Sequence, residues 1–192
     1  MIGTTLEFLQ RHLNDSLQLL FEGSIDGGTS NKVVLPAMSQ NATEPAVFVT
    51  GAVTMLLVNV EEERQCRPAE RHHSRAGAAA DIRLSLYLLF VARFSNYGTS
   101  WNHLAAILQH FQALPVLDPQ TTPLLPAGIE RLVFELVTQS FSEQNDVWNA
   151  LRSPHHPSLL YRARLLVLRD PTFRAPIPVT TTDSLLSHGS QA

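Results

Sequence analysis

Cysteine is almost absent from this sequence, which has only Cys66 among its 192 residues. One thiol cannot form an internal disulfide, so the fold must be held by packing and requires no oxidising compartment. An excess of positive charge is also missing, because 14 basic residues face 17 acidic ones and the formal net charge is -3. A nucleic-acid-binding protein usually carries a basic field, and we therefore expect no nucleic-acid partner.

Apolar runs that could cross a bilayer are missing too. The two longest, at residues 46–60 and 82–92, are interrupted by Thr, Gly, Ser or Arg, and both fall short of the about 20 residues that a spanning helix needs. The first residues lack the apolar region of a secretory signal, because Glu7, Gln10 and Arg11 interrupt it. We expect a protein made in the cytoplasm and without a membrane-spanning helix.

Catalytic sequence motifs are also lacking. The chain has no Gly-x-Ser-x-Gly, His-Glu-x-x-His, P-loop or Gly-x-Gly-x-x-Gly pattern. Two histidine pairs, His72-His73 near Cys66 and His155-His156, suggest a metal site at first sight. Adjacent side chains diverge, however, and a solvated loop is the favoured interpretation of both pairs. The sequence predicts a protein that is not an enzyme and that uses no metal, cofactor or small-molecule substrate.

Three carboxylates and two tryptophans are further candidates for functional groups. Glu61, Glu62 and Glu63 are consecutive, so alternation along a strand would split them between two faces and disfavour an acid/base pair. Trp101 and Trp148 are possible stacking platforms for nucleic-acid bases, but both lie on apolar helix stripes. Core packing is the favoured interpretation of the two tryptophans.

Helical spacing of apolar residues is present in three segments, at residues 4–22, 101–111 and 140–151. Thr4 with Glu7 and Ser140 with Glu143 have the spacing of capping boxes, which predicts the start of the first and third helices. Residues 96–100 have turn chemistry and precede the second helix.

Strands are predicted at residues 47–60, 82–94, 129–138 and 159–168, with shorter edge pieces near Val33 and Val116. Residues 82–94 alternate most regularly and have one purely apolar face. The order of helices and strands, with strand pairs that can form hairpins, predicts an α+β fold in which helices pack on a largely antiparallel sheet.

The predicted domain covers residues 1–170. Within it, residues 61–80 combine Glu, Arg and His with a Gly/Ala run, which predicts a mobile arm or loop. Residues 171–192 are rich in Pro, Thr and Ser and predict an extended or disordered C-terminal tail.

The segment Leu86 to Phe94, followed by Asn96-Tyr97 and the helix from Trp101 to Gln112, resembles the small proteins that cap the tail of extracellular contractile injection systems. The likeness covers roughly residues 2–170 and continues through the strands at residues 131–136 and 159–170. It implies a fold like that of phage tail terminators. It also implies a structural cap, in which six copies form a ring on the last inner-tube and sheath rings and end their polymerisation.

The partners implied by this resemblance are copies of the chain itself and the sheath and inner-tube proteins, in a particle that is assembled in the cytoplasm and released from the cell. The arm and the tail are polar and able to order on binding, and an open sheet edge could accept a strand from the sheath. Candidate contacts are the charged residues of the arm, the last strand and the tail: Glu61, Glu62, Glu63, Arg64, Arg67, Arg71, Arg75, Arg162, Arg164 and Arg174. Two alternatives remain at this point, a small cargo hydrolase or toxin and a nucleic-acid adaptor that uses the arginines of the arm.

Overall fold

The computed structural model describes residues 1–21, 32–36, 48–63 and 82–167. Within these ranges the helices are α1 (Ile2–Phe21), α2 (Tyr97–Ala113) and α3 (Phe141–Ala150). The strands are β1 (Val33–Val34), β2 (Ala52–Glu62), β3 (Ile82–Arg93), β4 (Val116–Leu117), β5 (Ile129–Leu136) and β6 (Ser158–Val167). They form one sheet in the order β1-β2-β3-β6-β5-β4. The β1–β2 pair is parallel and the other pairs are antiparallel, so the predicted α+β fold with a largely antiparallel sheet is confirmed.

Strand β3 lies at the centre of the sheet, with β2 on one side and β6 on the other. Its even-numbered residues, such as Leu88 and Phe90, face one side of the sheet, and its odd-numbered residues, such as Leu89 and Val91, face the other. All four side chains are buried. A strand buried on both faces reads as a continuous apolar run, which is why this segment stands out in the sequence.

The main core lies between α1, α2 and the even-numbered face of β3. Phe111 of α2 is at its centre: its ring stacks on Phe134 with centroids 4.2 Å apart and lies 4.9 Å from the Tyr161 ring. Phe90 of β3 is 6.1 Å from the same ring. Aromatic contacts of this kind dominate core energetics, and this cluster fixes α2 against the sheet.

A smaller core lies on the opposite face of the sheet, under α3. Trp148 is 5% exposed there and makes an edge contact with Phe48, with ring centroids 5.8 Å apart. Leu89, Val91 and Leu160 form the floor of this cluster. The prediction that Trp148 is a core residue is therefore confirmed.

The helix starts agree only in part with the predicted capping boxes. Ser140 caps α3 as predicted, since its hydroxyl accepts from the amide of Glu143 at 3.3 Å and its own amide donates to the Glu143 carboxylate at 2.7 Å. The box predicted at Thr4 is wrong, because α1 already begins at Ile2. The partly buried Ile2 packs against the main core, which extends the helix backward past the predicted cap.

Helix α2 also begins earlier than predicted. Asn96 is its N-cap and accepts hydrogen bonds from the amides of Gly98 at 2.7 Å and Thr99 at 3.3 Å. The turn predicted for residues 96–100 is therefore the first turn of the helix. Asn favours both structures for the same reason, since its side chain binds nearby backbone amides.

The predicted arm at residues 61–80 starts too early. Glu61 and Glu62 belong to β2, and the amide of Glu63 donates to the carbonyl of Arg83 at 2.9 Å, so the strand pairing continues past the predicted boundary. The remainder of the arm and the predicted tail at residues 171–192 lie outside the described residues.

Two histidines meet at the contact between α1 and α2. The rings of His12 and His110 are 5.0 Å apart, and Phe8 stacks on His12 at 5.6 Å. Both Nε2 atoms are buried and have no hydrogen-bond partner among the described residues. Burial lowers the pKa of His12, and burial together with the nearby His12 lowers the pKa of His110 to about 4. The contact therefore favours neutral imidazoles.

We predict that acidification weakens this contact. Both folded-state pKa values lie below the 6.5 of an ordinary histidine, so the unfolded chain binds protons more tightly. The contribution of the neutral histidine pair to the free energy of unfolding is complete above pH 6.5. It is lost as the pH falls toward about 4, by about 1.4 kcal/mol per pH unit for each proton that the unfolded chain binds and the folded chain does not. Denaturant unfolding at several pH values measures the slope. His110→Gln should flatten it, and an unchanged slope in that variant would show that the pair is not the cause.

Candidate functional site on the open sheet face

Beyond the small core, the face of the sheet that carries α3 bears polar and charged side chains instead of apolar ones. They come from β2 and the residue after it, β3, β6 and β5, and we call them the polar ladder. Its members are Asn59, Glu61, Glu63, Ser85, Tyr87, Glu135, Arg162 and Arg164.

The strand register places these residues in rows across the sheet. In the first row Asn59 is opposite Tyr87, Tyr87 is opposite Arg162, and Arg162 is opposite Glu135. The second row runs in the same way from Glu61 through Ser85 to Arg164. Directly opposite side chains on one face of a sheet lie close enough to interact, so the register itself brings opposite charges together.

Arginine and glutamate pair at the β5–β6 end of the ladder. Arg162 forms an ion pair with Glu135, and Arg164 Nη2 is 2.8 Å from Oε1 of the same carboxylate. Arg164 Nε also lies 3.4 Å from Glu63 Oε1. The hydrogen bond from Arg162 is the main reason why the pKa of Glu135 is lowered, and the charges of both arginines add to it. Glu135 is therefore held as a carboxylate.

Hydroxyl groups satisfy the carboxylates at the β2–β3 end. Ser85 Oγ donates to Glu63 at 2.8 Å, and the Tyr87 hydroxyl donates to Glu61 at 2.9 Å. Asn59 Nδ2 donates to Glu61 at 3.1 Å. The hydrogen bond to Glu61, assisted by burial, raises the pKa of Tyr87. Because each of the three ladder carboxylates accepts at least one hydrogen bond, the ladder is suited to recognition by a fixed surface more than to proton transfer.

A β-bulge at Val58 makes the ladder possible. Leu57 is opposite Leu88 and faces the main core, but the next paired residue, Asn59, is opposite Tyr87 on the other face. One extra residue in β2 therefore reverses its alternation. Without the bulge, Asn59, Glu61 and Glu63 would face the same side as Leu57.

The ladder is partly open to water. Side-chain exposure is 33% for Arg162, 38% for Glu135 and 43% for Arg164. The aromatic ring of Tyr87 packs against the small core while its hydroxyl reaches Glu61. Charged groups that are held in place and still accessible form a surface that a partner with complementary charge could bind.

The structure brings together four of the candidate contacts predicted from the sequence, namely Glu61, Glu63, Arg162 and Arg164. Glu62 is separated from them, because it is opposite Leu84, which packs against the main core on the other face. The other five candidates lie outside the described residues: Arg64, Arg67, Arg71, Arg75 and Arg174.

Four members of the ladder were not among the contacts predicted from the sequence: Asn59, Ser85, Tyr87 and Glu135. Glu135 could have been identified from the sequence, since it is an acidic residue next to the buried Phe134 in an alternating strand. Its pairing with Arg162 could not be read from the sequence, because the register between β5 and β6 is set by tertiary packing.

The second histidine pair lies next to the small core. The rings of His155 and His156 are 5.2 Å and 5.8 Å from the Trp148 ring, and burial lowers the pKa of His156. Over the described ranges, no group of three or more His, Cys, Asp or Glu side chains is placed to hold a metal ion. Cys66, His72 and His73 are outside these ranges. The helices of the same ranges include none with the length and apolar character of a membrane span.

Comparison with known proteins identifies one family. A family model described as the Pvc16 N-terminal domain matches residues 4–182. Among solved structures, the chain is similar to a PVC sheath/tube terminator of an extracellular contractile injection system in the extended state, with 17% identity, a TM-score of 0.42 and coverage of 94% of this chain and 64% of that chain.

The anti-feeding prophage cap, a tube-terminating cap, is similar with 13% identity, a TM-score of 0.42 and coverage of 90% and 60%. The chain thus spans less than two thirds of the length of these two structures. No curated protein matches the sequence.

We predict a measurable coupling between Arg162 and Glu135. A double-mutant cycle with Arg162→Met and Glu135→Gln should give a coupling free energy of about 0.5–1 kcal/mol, since the pair is partly exposed. In Arg162→Met the pKa of Glu135 should rise toward 4.5, which carboxyl NMR titration measures. Arg131→Met, on the same face but outside the ladder, is the control. Zero coupling together with an unchanged Glu135 pKa would contradict the ladder geometry.

Proposed function

The chain belongs to the Pvc16 N-terminal domain family, and we propose that it is a structural cap of a contractile injection system. Six copies form a ring on the last rings of the inner tube and the sheath and end their polymerisation. The family match over residues 4–182 is the observation that carries the proposal. It agrees with the resemblance to tail-cap proteins that the sequence has over residues 2–170.

A cap needs one surface that binds the last ring of subunits, and the polar ladder suits that role. Its arginines and glutamates are held in rows by the sheet, so the surface is already ordered before a partner arrives. Pre-ordering lowers the entropy cost of binding, and paired charges favour the correct partner over others. In this proposal the ladder contacts a sheath or tube subunit.

A free stretch of sheet edge offers a second kind of contact. Among the described residues, β1 pairs only with Val53 and Thr54, so the far half of β2 has no strand beside it on that edge. An extended segment of a sheath subunit could add there through backbone hydrogen bonds. The candidate contacts that the ladder does not contain, Glu62, Arg64, Arg67, Arg71, Arg75 and Arg174, remain part of the proposal as contacts with neighbouring subunits.

Electron microscopy of particles produced with and without this chain tests the proposal. Without it, sheaths and tubes should vary in length and their ends should lack the cap, because nothing stops the addition of subunits. Supplying the wild-type chain should restore uniform tails. Unchanged tail length and unchanged end structure in its absence would overturn the proposed function.

Charge reversal tests the role of the ladder in the same particles. Arg164→Glu places three carboxylates around one position and should reduce incorporation of the chain at tail ends, measured by immunoblot of purified particles. Arg11→Glu on the exposed side of α1 makes the same change in charge away from the ladder and should be incorporated normally. Equal incorporation of both variants would show that the ladder is not part of the contact with the tail.

A further inference from the structure

Helix α2 contains no Asp, Glu, Lys or Arg in its 17 residues. One side of it is buried in the main core, but the other side faces water with aromatic, aliphatic and amide side chains. The outward face of a surface helix normally carries charged residues. Depletion of charge combined with Tyr and Trp is the composition of the centre of a protein–protein interface.

Tyr97 and Trp101 are the most prominent groups on this outward face. They are 70% and 41% exposed and contact each other edge to face, with ring centroids 6.2 Å apart. The sequence predicted Trp101 to be a core residue, and this is wrong, because the buried side of α2 carries Leu104, Ile107 and Phe111 instead. The Asn96 cap holds the first turn of the helix in place, and we call the two exposed rings the knob.

A concave surface of similar composition lies beside α3. It is an open cavity of about 530 Å³ whose lining includes Phe141, Trp148, Pro154 and His155, together with amide side chains. Among the described residues that line it, none is Asp, Glu, Lys or Arg. The cavity is open to solvent, so a side chain from outside can enter it. Phe141 is 92% exposed beside it, which leaves a large apolar side chain without cover.

The knob and the cavity belong to opposite faces of the sheet. Helix α2 packs on the face that carries Phe90, whereas α3 packs on the face that carries Leu89 and Val91. The two surfaces therefore cannot meet within one molecule. A contact between two different patches on neighbouring copies is head-to-tail, and it builds a ring where the rotation from copy to copy closes.

We propose that the knob of one copy, formed by Tyr97 and Trp101, docks into the α3 cavity beside Phe141 of the next copy. This inference rests on the proposed function, because it supplies the contact between neighbours in the ring. A second copy of this chain is the occupant we propose, because the described residues of both patches include no Asp, Glu, Lys or Arg and each patch carries an exposed aromatic residue. A charged partner surface would be desolvated there without compensation.

Charge insertion on each side of the contact tests the inference with full-length chains. We expect light scattering to detect an oligomer of the purified wild-type chain. Trp101→Glu and Phe141→Glu should each convert it into monomers, with a loss of affinity of at least about 30-fold, as expected for hot-spot aromatics. An equimolar mixture of the two variants should form dimers, because it contains one intact knob and one intact cavity. Gln120→Glu, in the exposed turn after β4, is the control that should stay oligomeric.

The outcomes separate this contact from other possibilities. A wild-type monomer at every concentration, or an oligomer that survives Trp101→Glu, would overturn the inference. Dimers of Phe141→Glu alone would show a symmetric α2–α2 contact instead and would also overturn it. Circular dichroism and thermal melts establish that the variants fold. The capping proposal is tested separately, by the tail length of particles that lack the chain.

Discussion

The pairing of β3 with β2 and β6 is the interaction on which the rest of the structure depends. Because β3 is buried on both faces, it needs cover on each side, and α1 and α2 supply it on one face while α3 supplies it on the other. The same register aligns Tyr87 with Arg162 and Ser85 with Arg164. The pairing of β3 with its two neighbours thus sets the core, the positions of the helices and the geometry of the polar ladder.

The two kinds of contact in the molecule have different roles. Burial of large apolar side chains such as Phe90 and Phe111 contributes most of the stability, at about 1.5–3 kcal/mol for each fully buried side chain. The ladder ion pairs are partly exposed and add at most about 1 kcal/mol each. Their value lies in keeping an open sheet face soluble and specific, since burying such charges against an apolar surface would cost their solvation.

Much of the fold could be predicted from the sequence, because alternation in β3 and the Ser140–Glu143 capping box are local signals. The bulge at Val58 could not, since one inserted residue leaves no mark in composition and yet moves Glu61 and Glu63 to the other face. The prediction that Trp101 lies in the core was wrong for a related reason. Once Asn96 is the helix cap and not a turn residue, the helix starts at Tyr97, and tertiary packing of Phe111 decides which side is buried.

We propose that this chain occupies the end of a contractile tail and uses the open sheet face to bind the subunits below it. A cryo-electron microscopy reconstruction of the tail end, resolved to side chains, measures this most directly. We expect six copies of this fold at the end of the tube and sheath, with Arg162, Arg164 and Glu135 in contact with an adjacent subunit. A tail end without this fold, or with the polar ladder facing solvent in every copy, would contradict it.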